Sequence, residues 1–213
     1  MKSLGNILII GDSYSTFRGY IPEGNLFWYS EDFKDETDVR EASECWWYKL
    51  AEETGSKIML NESYSGSTIC TTERPTQHGQ SFVARADRLI EGGFFKANKI
   101  DTVLVLGGTN DSWIDSPVGE VKLTDISEED KKSILPAFAY LLLRLREAAP
   151  EATVLPIINL GLKPEITEGF EKICGALSFP CLKLTRLSKA MGHPTKWGMV
   201  ELKDQVIEFF DRL

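Results

Sequence analysis

Five short apolar runs spread over the length of the chain constrain its fold more than any other feature. Each is nearly continuous in apolarity and rich in β-branched residues, and they lie at Asn6–Ile10, Lys57–Leu60, Thr102–Leu106, Thr153–Ile158 and Pro180–Leu184. A strand that is covered by helices on both faces has this pattern, whereas a strand with one wet face alternates. The runs therefore predict five buried strands.

Helical patterns fill the gaps between these strands, at Ser43–Thr54, Ser81–Glu91, Glu128–Ala148, Glu165–Leu177 and Thr195–Leu213. Strands that alternate with helices favour a parallel sheet with right-handed crossovers. The sequence thus predicts a three-layer α/β fold. Because we find no linker, repeat or low-complexity segment, residues 1–213 are expected to form a single domain.

Charge and cysteine content limit the expected partners. Against 24 Lys and Arg there are 32 Asp and Glu, and the formal charge of −8 disfavours nucleic acid and anionic membrane surfaces as partners. The apolar runs are too short to span a bilayer, and no signal-peptide pattern precedes the first strand. The four cysteines lack metal-ligand spacing, which predicts free thiols, no metal site and a cytoplasmic location.

Two stretches, 18–42 and 112–127, lack helical or strand periodicity. Loops longer than about 12–15 residues are uncommon unless they serve a function or are disordered. Both stretches follow the carboxyl end of a predicted strand, which is the edge where open α/β sheets bind ligands. We therefore expect them to border a binding site.

Polar or turn-forming residues follow four of the predicted strands at this edge: Ser13, Gly66, Asn110 and His193. Taken singly, the first three also fit a turn cap, a turn glycine and an Asx turn. Taken together, they supply a hydroxyl nucleophile, a base and fixed N–H donors, which are the parts that acyl transfer requires. The second histidine, His78, lies in a polar loop and is not expected in the site.

In chain order, these residues resemble the four blocks of the SGNH (GDSL-like) hydrolase family, and the resemblance covers essentially the whole sequence. The matching blocks are Gly11-Asp12-Ser13-Tyr14-Ser15, Gly66, Gly107-Gly108-Thr109-Asn110-Asp111 and His193-Pro194. The resemblance implies a flavodoxin-like three-layer sandwich with a five-stranded parallel sheet, and a serine esterase that needs no metal or organic cofactor. It also implies that Ser13 is the nucleophile and His193 the general base. The oxyanion hole would comprise the N–H groups of Ser13 and Gly66 and the Asn110 amide.

One position departs from the family pattern. The family usually has an aspartate three residues before the histidine, but Ala190 stands here and no acid occurs between Thr185 and Gly192. Three interpretations are open: a Ser–His dyad oriented by a backbone carbonyl, an acid supplied from elsewhere, or a site that has lost turnover. The following helix, with Pro194 in its first turn, predicts a neutral His193 that accepts a proton.

Aromatic residues near the predicted site suggest its substrate: Trp28, Tyr29, Trp113 and Trp197. Their rings could stack on a sugar, which favours a short acyl (acetyl) ester of a carbohydrate as the small-molecule substrate, or they could pin the loops to the protein. A lipid-like acyl ester or thioester and a non-catalytic binding module are the alternatives. A nucleotide-binding function is disfavoured, because no G-x-G-x-x-G or Walker loop follows the first strand.

Overall fold

A computed structural model describes residues 2–32 and 36–213 of the chain. Its central sheet has five parallel strands in the order β2-β1-β3-β4-β5. Their bounds are Asn6–Gly11 (β1), Lys57–Ser63 (β2), Thr102–Gly107 (β3), Thr153–Ile158 (β4) and Leu182–Lys183 (β5). This is the flavodoxin-like strand order, so the predicted fold class is confirmed.

Seven helices are described, and the longer ones cover both faces of the sheet. They are Trp46–Thr54 (α1), Phe82–Glu91 (α2), Phe94–Ala97 (α3), Thr109–Trp113 (α4), Ile134–Ala148 (α5), Pro164–Leu177 (α6) and Lys196–Phe210 (α7). Leu8 and Ile10 pack in the same core as α2, α5 and α6, whereas Ile7 and Ile9 pack with α1 and α7. Alternate residues of one strand thus enter two cores, which explains the continuous apolar runs.

The helix that the sequence predicts from Glu128 begins only at Ile134. Pro136 explains the difference, because proline lacks an N–H and clashes with the carbonyl four residues back, so that only the first turn of a helix accommodates it. The N–H groups of the first two residues of α5 donate to the carbonyls of Pro117 and Val118. These two bonds attach the second long loop to α5.

The last helix also begins later than predicted, and Pro194 lies outside its first turn. His193–Pro194 forms a short strand, β7, that pairs antiparallel with Lys189–Ala190, β6. Thr195 is the helix N-cap, and its side-chain oxygen accepts the N–H of Gly198 at 3.1 Å. A threonine oxygen can accept this bond and a proline cannot, so the cap falls after Pro194.

The four cysteines are free thiols, and three of them are buried. Among the residues described, no helix is both long and apolar enough to cross a membrane. The same residues contain no group of three or more His, Cys, Asp or Glu side chains that could hold a metal ion.

Candidate active site

Ser13 lies two residues beyond Gly11, the last residue of β1, and begins a single 3-10 turn formed by Ser13–Ser15. Asp12 caps this turn, and its side chain accepts the N–H of Tyr14 at 3.0 Å. No acceptor for the N–H of Ser13 is found among the described residues, as expected at the start of a helical turn. The turn therefore holds the hydroxyl and a backbone donor of the same residue close together.

His193 faces Ser13 with one ring nitrogen and the main chain with the other. Its Nε2 lies 3.0 Å from Ser13 Oγ, and its Nδ1 lies 3.0 Å from the carbonyl oxygen of Met191. A carbonyl oxygen can only accept a hydrogen bond, so Nδ1 carries the proton of a neutral ring. The lone pair of Nε2 is then directed at the Ser13 hydroxyl, which is the arrangement that a general base requires.

The acceptor for Nδ1 comes from a two-residue hairpin turn rather than from an acid. Met191 and Gly192 have φ values of +48° and +77°, and they join the paired residues Ala190 and His193. Positive φ at both central residues is typical of a type I′ turn, which suits a tight hairpin. Of the three interpretations of the missing aspartate, the geometry matches a dyad oriented by a backbone carbonyl.

A second bond fixes this turn against the serine. The hydroxyl of Tyr14 donates to the carbonyl oxygen of Gly192 at 2.6 Å, and the Tyr14 side chain is fully buried. We call Ser13–Ser15 the serine turn and the hairpin turn from Ala190 to His193 the histidine turn. Because Tyr14 follows Ser13 directly, one side chain links these two turns. Sequence analysis did not single out Tyr14.

Burial lowers the pKa of His193 to about 4. The Met191 carbonyl acts in the opposite direction, and the nearby ammonium group of Lys189 lowers the pKa further. His193 is therefore neutral at pH 7, as the sequence predicts. The main cause is desolvation of the ring and not the start of the last helix.

Aromatic rings surround the imidazole. Trp28 stacks on His193 with ring centroids 3.7 Å apart and an interplanar angle of 7°. Trp113 and Tyr14 approach with tilted rings, at centroid distances of 5.9 Å and 5.5 Å. The predicted ligand-binding residue Trp28 thus places one of its faces against the proposed base, which leaves that face closed to a substrate.

Tyr29 is a correction to the predicted substrate-binding set. Its side chain is fully buried, and its hydroxyl donates to the carbonyl oxygen of Pro194 at 2.8 Å. Its carbonyl accepts the N–H of Arg18, and the N–H of Trp28 donates to Thr16 Oγ1, both at 2.9 Å. Tyr29 therefore attaches the first long loop to the histidine turn instead of contacting a ligand. Residues 33–35 of that loop lie outside the described residues.

Gly66 follows β2 with a φ of +82°, which a residue with a side chain rarely adopts. A Cβ atom at this position would lie 2.9 Å from Nε2 of Gln77. The backbone conformation therefore favours glycine, and any side chain here would also require the flexible end of Gln77 to move.

Asn110 lies in α4, just after β3, and its Nδ2 donates to the Ser67 carbonyl at 3.0 Å. This bond joins the turn after β2 to the turn after β3. An amide nitrogen has two hydrogens, so one remains for a ligand. β1 lies between β2 and β3 in the sheet, and Gly11 is in register with Ser63 and Leu106. The turns that carry Ser13, Gly66 and Asn110 therefore follow neighbouring strand ends.

Trp113 and Trp197 are the predicted substrate-binding residues that remain accessible, with 52% and 64% of their surface exposed. Trp113 also lies against the histidine turn, because a Cβ atom on Gly192 would be 3.0 Å from its ring. Trp197 is in the first turn of α7, four residues after His193. His78 is exposed and shows no contact with the described site residues.

Arg85, which sequence analysis missed, holds the ends of two site strands together. It is fully buried in α2, and its guanidinium donates to the Gly11 carbonyl at 2.9 Å, to Ser67 Oγ at 3.0 Å and to the Glu62 carbonyl. Burial lowers its pKa to about 10, so it stays charged at neutral pH. The sequence contained an indication of this burial, because Arg85 lies one helical turn from the apolar residues Phe82 and Leu89, on the apolar face of the predicted helix.

Two buried carboxylates shape the loops around the site. Asp111 accepts the N–H groups of Ile69 and Cys70 at 2.9 Å and 3.2 Å, in the segment that follows Gly66. Burial raises the pKa of Asp111, and it raises the pKa of Asp12 to about 7. Neither carboxyl group contacts His193, and both bind backbone N–H groups of the loops.

Comparison with known proteins identifies the family. A family model described as GDSL-like Lipase/Acylhydrolase matches residues 5–210. The chain belongs to this family. A search of the curated proteins found no significant match.

Solved structures agree with this assignment. One described as a GDSL-like lipase from Bacteroides ovatus is 33% identical to this GDSL-like acylhydrolase over 100% of both chains, with a TM-score of 0.89. One from Bacteroides uniformis, described in the same words, is 36% identical over 98% of this chain and 96% of its own, also with a TM-score of 0.89. An acetyl xylan esterase from Butyrivibrio proteoclasticus shares the fold, with a TM-score of 0.63 and 18% sequence identity. The match covers 100% of this chain and 64% of that protein's chain. The chain is therefore an esterase or acylhydrolase of the GDSL-like family.

Proposed function

We propose that this acylhydrolase removes short acyl groups, acetyl above all, from carbohydrate esters through an acyl-enzyme on Ser13. The observation that carries the proposal is the continuous contact from Ser13 Oγ to His193 Nε2, and from His193 Nδ1 to the Met191 carbonyl, each at 3.0 Å. A chain of two hydrogen bonds thereby connects a hydroxyl, a neutral base and an acceptor that fixes the tautomer of the base.

In the first half of the reaction, Ser13 Oγ attacks the carbonyl carbon of the ester while His193 Nε2 takes the hydroxyl proton. The carbonyl double bond opens to an oxyanion. Its collapse breaks the bond to the alcohol oxygen, which receives the proton from His193. The acyl group then remains on Ser13 as an ester.

The oxyanion would be stabilised by three donors: the N–H of Ser13, the N–H of Gly66 and the remaining Nδ2 hydrogen of Asn110. The first has no acceptor among the described residues, and the second belongs to a residue with a φ of +82°, a conformation that favours glycine. Donors that are fixed before the reaction need no reorganisation as charge develops, which makes such groups effective.

In the second half, His193 Nε2 takes a proton from water as the water oxygen attacks the acyl carbon. Collapse of the second tetrahedral intermediate returns that proton to Ser13 Oγ and releases the carboxylic acid. The same imidazole thus acts as base and acid twice.

The proposed carbohydrate part of the substrate depends on the exposed rings of Trp113, which lies against the histidine turn, and Trp197, four residues after His193. Aromatic faces present large, rigid contact area to flat ligand surfaces at a small cost in side-chain entropy. The fold is shared with an acetyl xylan esterase, so a scaffold of this kind acts on an acetylated sugar in that protein.

Activity measurements test the proposal in two steps. First, Ser13→Ala should abolish hydrolysis of 4-nitrophenyl acetate, with His78→Gln as the control that keeps wild-type rates. Wild-type turnover by Ser13→Ala would exclude the mechanism. Second, an acetylated xylo-oligosaccharide should be hydrolysed with a higher kcat/KM than 4-nitrophenyl acetate lacking the sugar, and Trp197→Ala should remove most of that advantage.

Two alternatives are separated by related measurements. Because each buried methylene is worth about 0.8 kcal/mol, a lipid-like acyl site would raise kcat/KM from acetyl to butyryl to octanoyl esters, whereas we expect it to fall. A non-catalytic binding module would not be labelled at Ser13 by an organophosphonate, whereas we expect stoichiometric labelling.

A further inference from the structure

The face-to-face contact between Trp28 and His193 has no role in the proposed reaction scheme. The centroid distance of 3.7 Å and the angle of 7° place the indole flat on the imidazole, closer and more parallel than the rings of Tyr14, Tyr29 or Trp113. The indole nitrogen of Trp28 is buried and has no hydrogen-bond partner among the described residues. No polar contact therefore holds the indole where it is.

The backbone around Trp28 brings the ring to this position. The N–H of Trp28 is bound by Thr16, and the next residue, Tyr29, is bound through its carbonyl to Arg18 and through its hydroxyl to Pro194. Nearer the start of the loop, the Leu26 carbonyl accepts the N–H of Ser65 at 2.8 Å. The loop is thus attached to the serine turn, the turn after β2 and the histidine turn, with Trp28 between these attachments.

We propose that Trp28 is a positioning residue for His193, which holds the imidazole plane so that Nε2 meets Ser13 while Nδ1 meets the Met191 carbonyl. This inference deepens the proposed function and rests on it. In most of the family an aspartate would restrain the ring through a charged bond to Nδ1. Here the neutral carbonyl gives a weaker bond, and rotation of the ring is limited by the indole face as well.

The stack has a second effect during turnover. When His193 takes the Ser13 proton it becomes an imidazolium ion, and the face of tryptophan is the aromatic surface that stabilises a cation most strongly. Within residues 2–32 and 36–213, no negative side chain is within hydrogen-bond distance of His193. The indole therefore supplies favourable electrostatics at the stage of the reaction where the ring is charged.

A substitution at position 28 leaves the other ionisable groups near His193 in the protein. They are the ammonium group of Lys189 on β6, the carboxyl group of Asp12 at the serine turn, and the hydroxyls of Tyr14 and Tyr29. Removing the indole has two opposite effects on the pKa of His193: it admits water to the ring, which raises the pKa, and it removes the attraction of the indole face for the imidazolium, which lowers it. Because burial is the largest cause of the low pKa, the first effect should dominate and the pKa should rise.

The experiment compares Trp28→Leu, Trp28→Phe and Trp113→Ala with the wild type on 4-nitrophenyl acetate. General bases contribute about 10²–10⁴ in rate, and partial loss of orientation in Trp28→Leu should lower kcat about tenfold at nearly constant KM. In Trp28→Leu the acidic limb of kcat/KM should also move to higher pH. Trp28→Phe, which keeps an aromatic face, should retain most of the wild-type kcat and most of the wild-type position of the limb. Trp113→Ala is the matched control: the Trp113 ring meets His193 at 76° and not face to face, so its removal should leave the acidic limb in place.

A substrate-free measurement separates this inference from the proposed function. The ¹⁵N shifts of the His193 ring, assigned with His78→Gln, should show one Nδ1–H tautomer in the wild type and a tautomer mixture in Trp28→Leu. If Trp28→Leu does not fold, the ¹⁵N ring shifts and the acidic limb of kcat/KM in Trp28→Phe decide whether Trp28 positions His193. Unchanged ring shifts and an unchanged kcat in the Trp28 variants would overturn the positioning role. Absent esterase activity in the wild type would overturn the proposed function alone.

Discussion

Nδ1 of His193 lies 3.0 Å from the carbonyl oxygen of Met191, two residues earlier in the chain. Residue and acceptor belong to one hairpin turn, so the orientation of the imidazole depends on the turn conformation. Ala190, at the position where the family usually has an aspartate, pairs with His193 across the same turn. The pairing permits a direct test of what an acid would add.

Ala190→Asp should raise the pKa of His193. A carboxylate near an imidazole favours its charged form, which opposes the effect of burial. The acidic limb of kcat/KM should therefore move to higher pH. Ala190→Asn has nearly the same shape without the charge and should leave the limb where it is. Equal shifts in both variants would show that size and not charge is responsible.

The pH dependence of the unmodified protein follows from the pKa of about 4 at His193. The base must be neutral to accept the Ser13 proton, so activity should be lost as the pH falls through about 4 and be retained above it. A serine esterase with an unperturbed histidine would lose activity near pH 6.5 instead. A plot of kcat/KM against pH in overlapping buffers gives the value, and an acidic limb near 6.5 would show that burial does not lower the pKa of His193.

Asn110→Ala should lower kcat by about 10²–10³ with a small change in KM, because the amide would act on the transition state. Asn110 also holds the Ser67 carbonyl, so unfolding of the variant must be measured beside its kinetics. Asn110→Asp keeps the shape but cannot donate when ionised, and should be at least as slow. A normal kcat in both variants would remove Asn110 from the oxyanion hole.

Arg85→Met should destabilise the protein by at least about 3 kcal/mol, because several buried acceptors lose their donor at once. Arg88 is on the same helix but exposed, and it binds Gln80 and the Gly79 carbonyl. Arg88→Met should cost less than about 1 kcal/mol, as surface changes usually do. Denaturant unfolding of both variants gives the comparison, and equal losses would contradict the structural role of Arg85.

Asp12→Asn should reduce the pH dependence of stability. Burial raises the pKa of Asp12 to about 7 from a usual value near 4, so the folded state binds more protons than the unfolded state between these values. The free energy of unfolding should therefore fall as the pH rises from about 4 to 7, and the slope should be smaller in Asp12→Asn. The same slope in both proteins would mean that Asp12 is ionised throughout this range.

The sequence predicted the sheet well, because strands buried on both faces leave continuous apolar runs that few other elements produce. Helix starts were predicted less well, since a short 3-10 turn such as Asp130–Lys132 has a repeat close to that of an α-helix, and only details such as Pro136 separate the two. Ser13 and His193 were predicted to meet, and the structure places them in contact. Their proposed catalytic roles stay predictions until measured.

Several features of the site had no readable signal. The Met191 carbonyl is a main-chain atom, and every residue has one, so no residue type could announce its role. Trp28 and Tyr29 are adjacent aromatic residues, yet one stacks on the imidazole and the other is buried beneath Pro194. Loop conformation decides this difference. Arg85 was detectable as a charge on an apolar stripe.

In the proposed reaction, the histidine turn would place the third member of the catalytic arrangement, the Met191 carbonyl, in the peptide backbone. Substituting a side chain cannot delete such an acceptor, so scanning mutagenesis would report a two-residue machinery and overlook it. The acceptor would instead be displaced by a substitution of Gly192, because an L-residue disfavours the φ of +77° that the turn requires. A glycine whose own atoms take no part in the reaction can thereby be as indispensable to turnover as an acid would be.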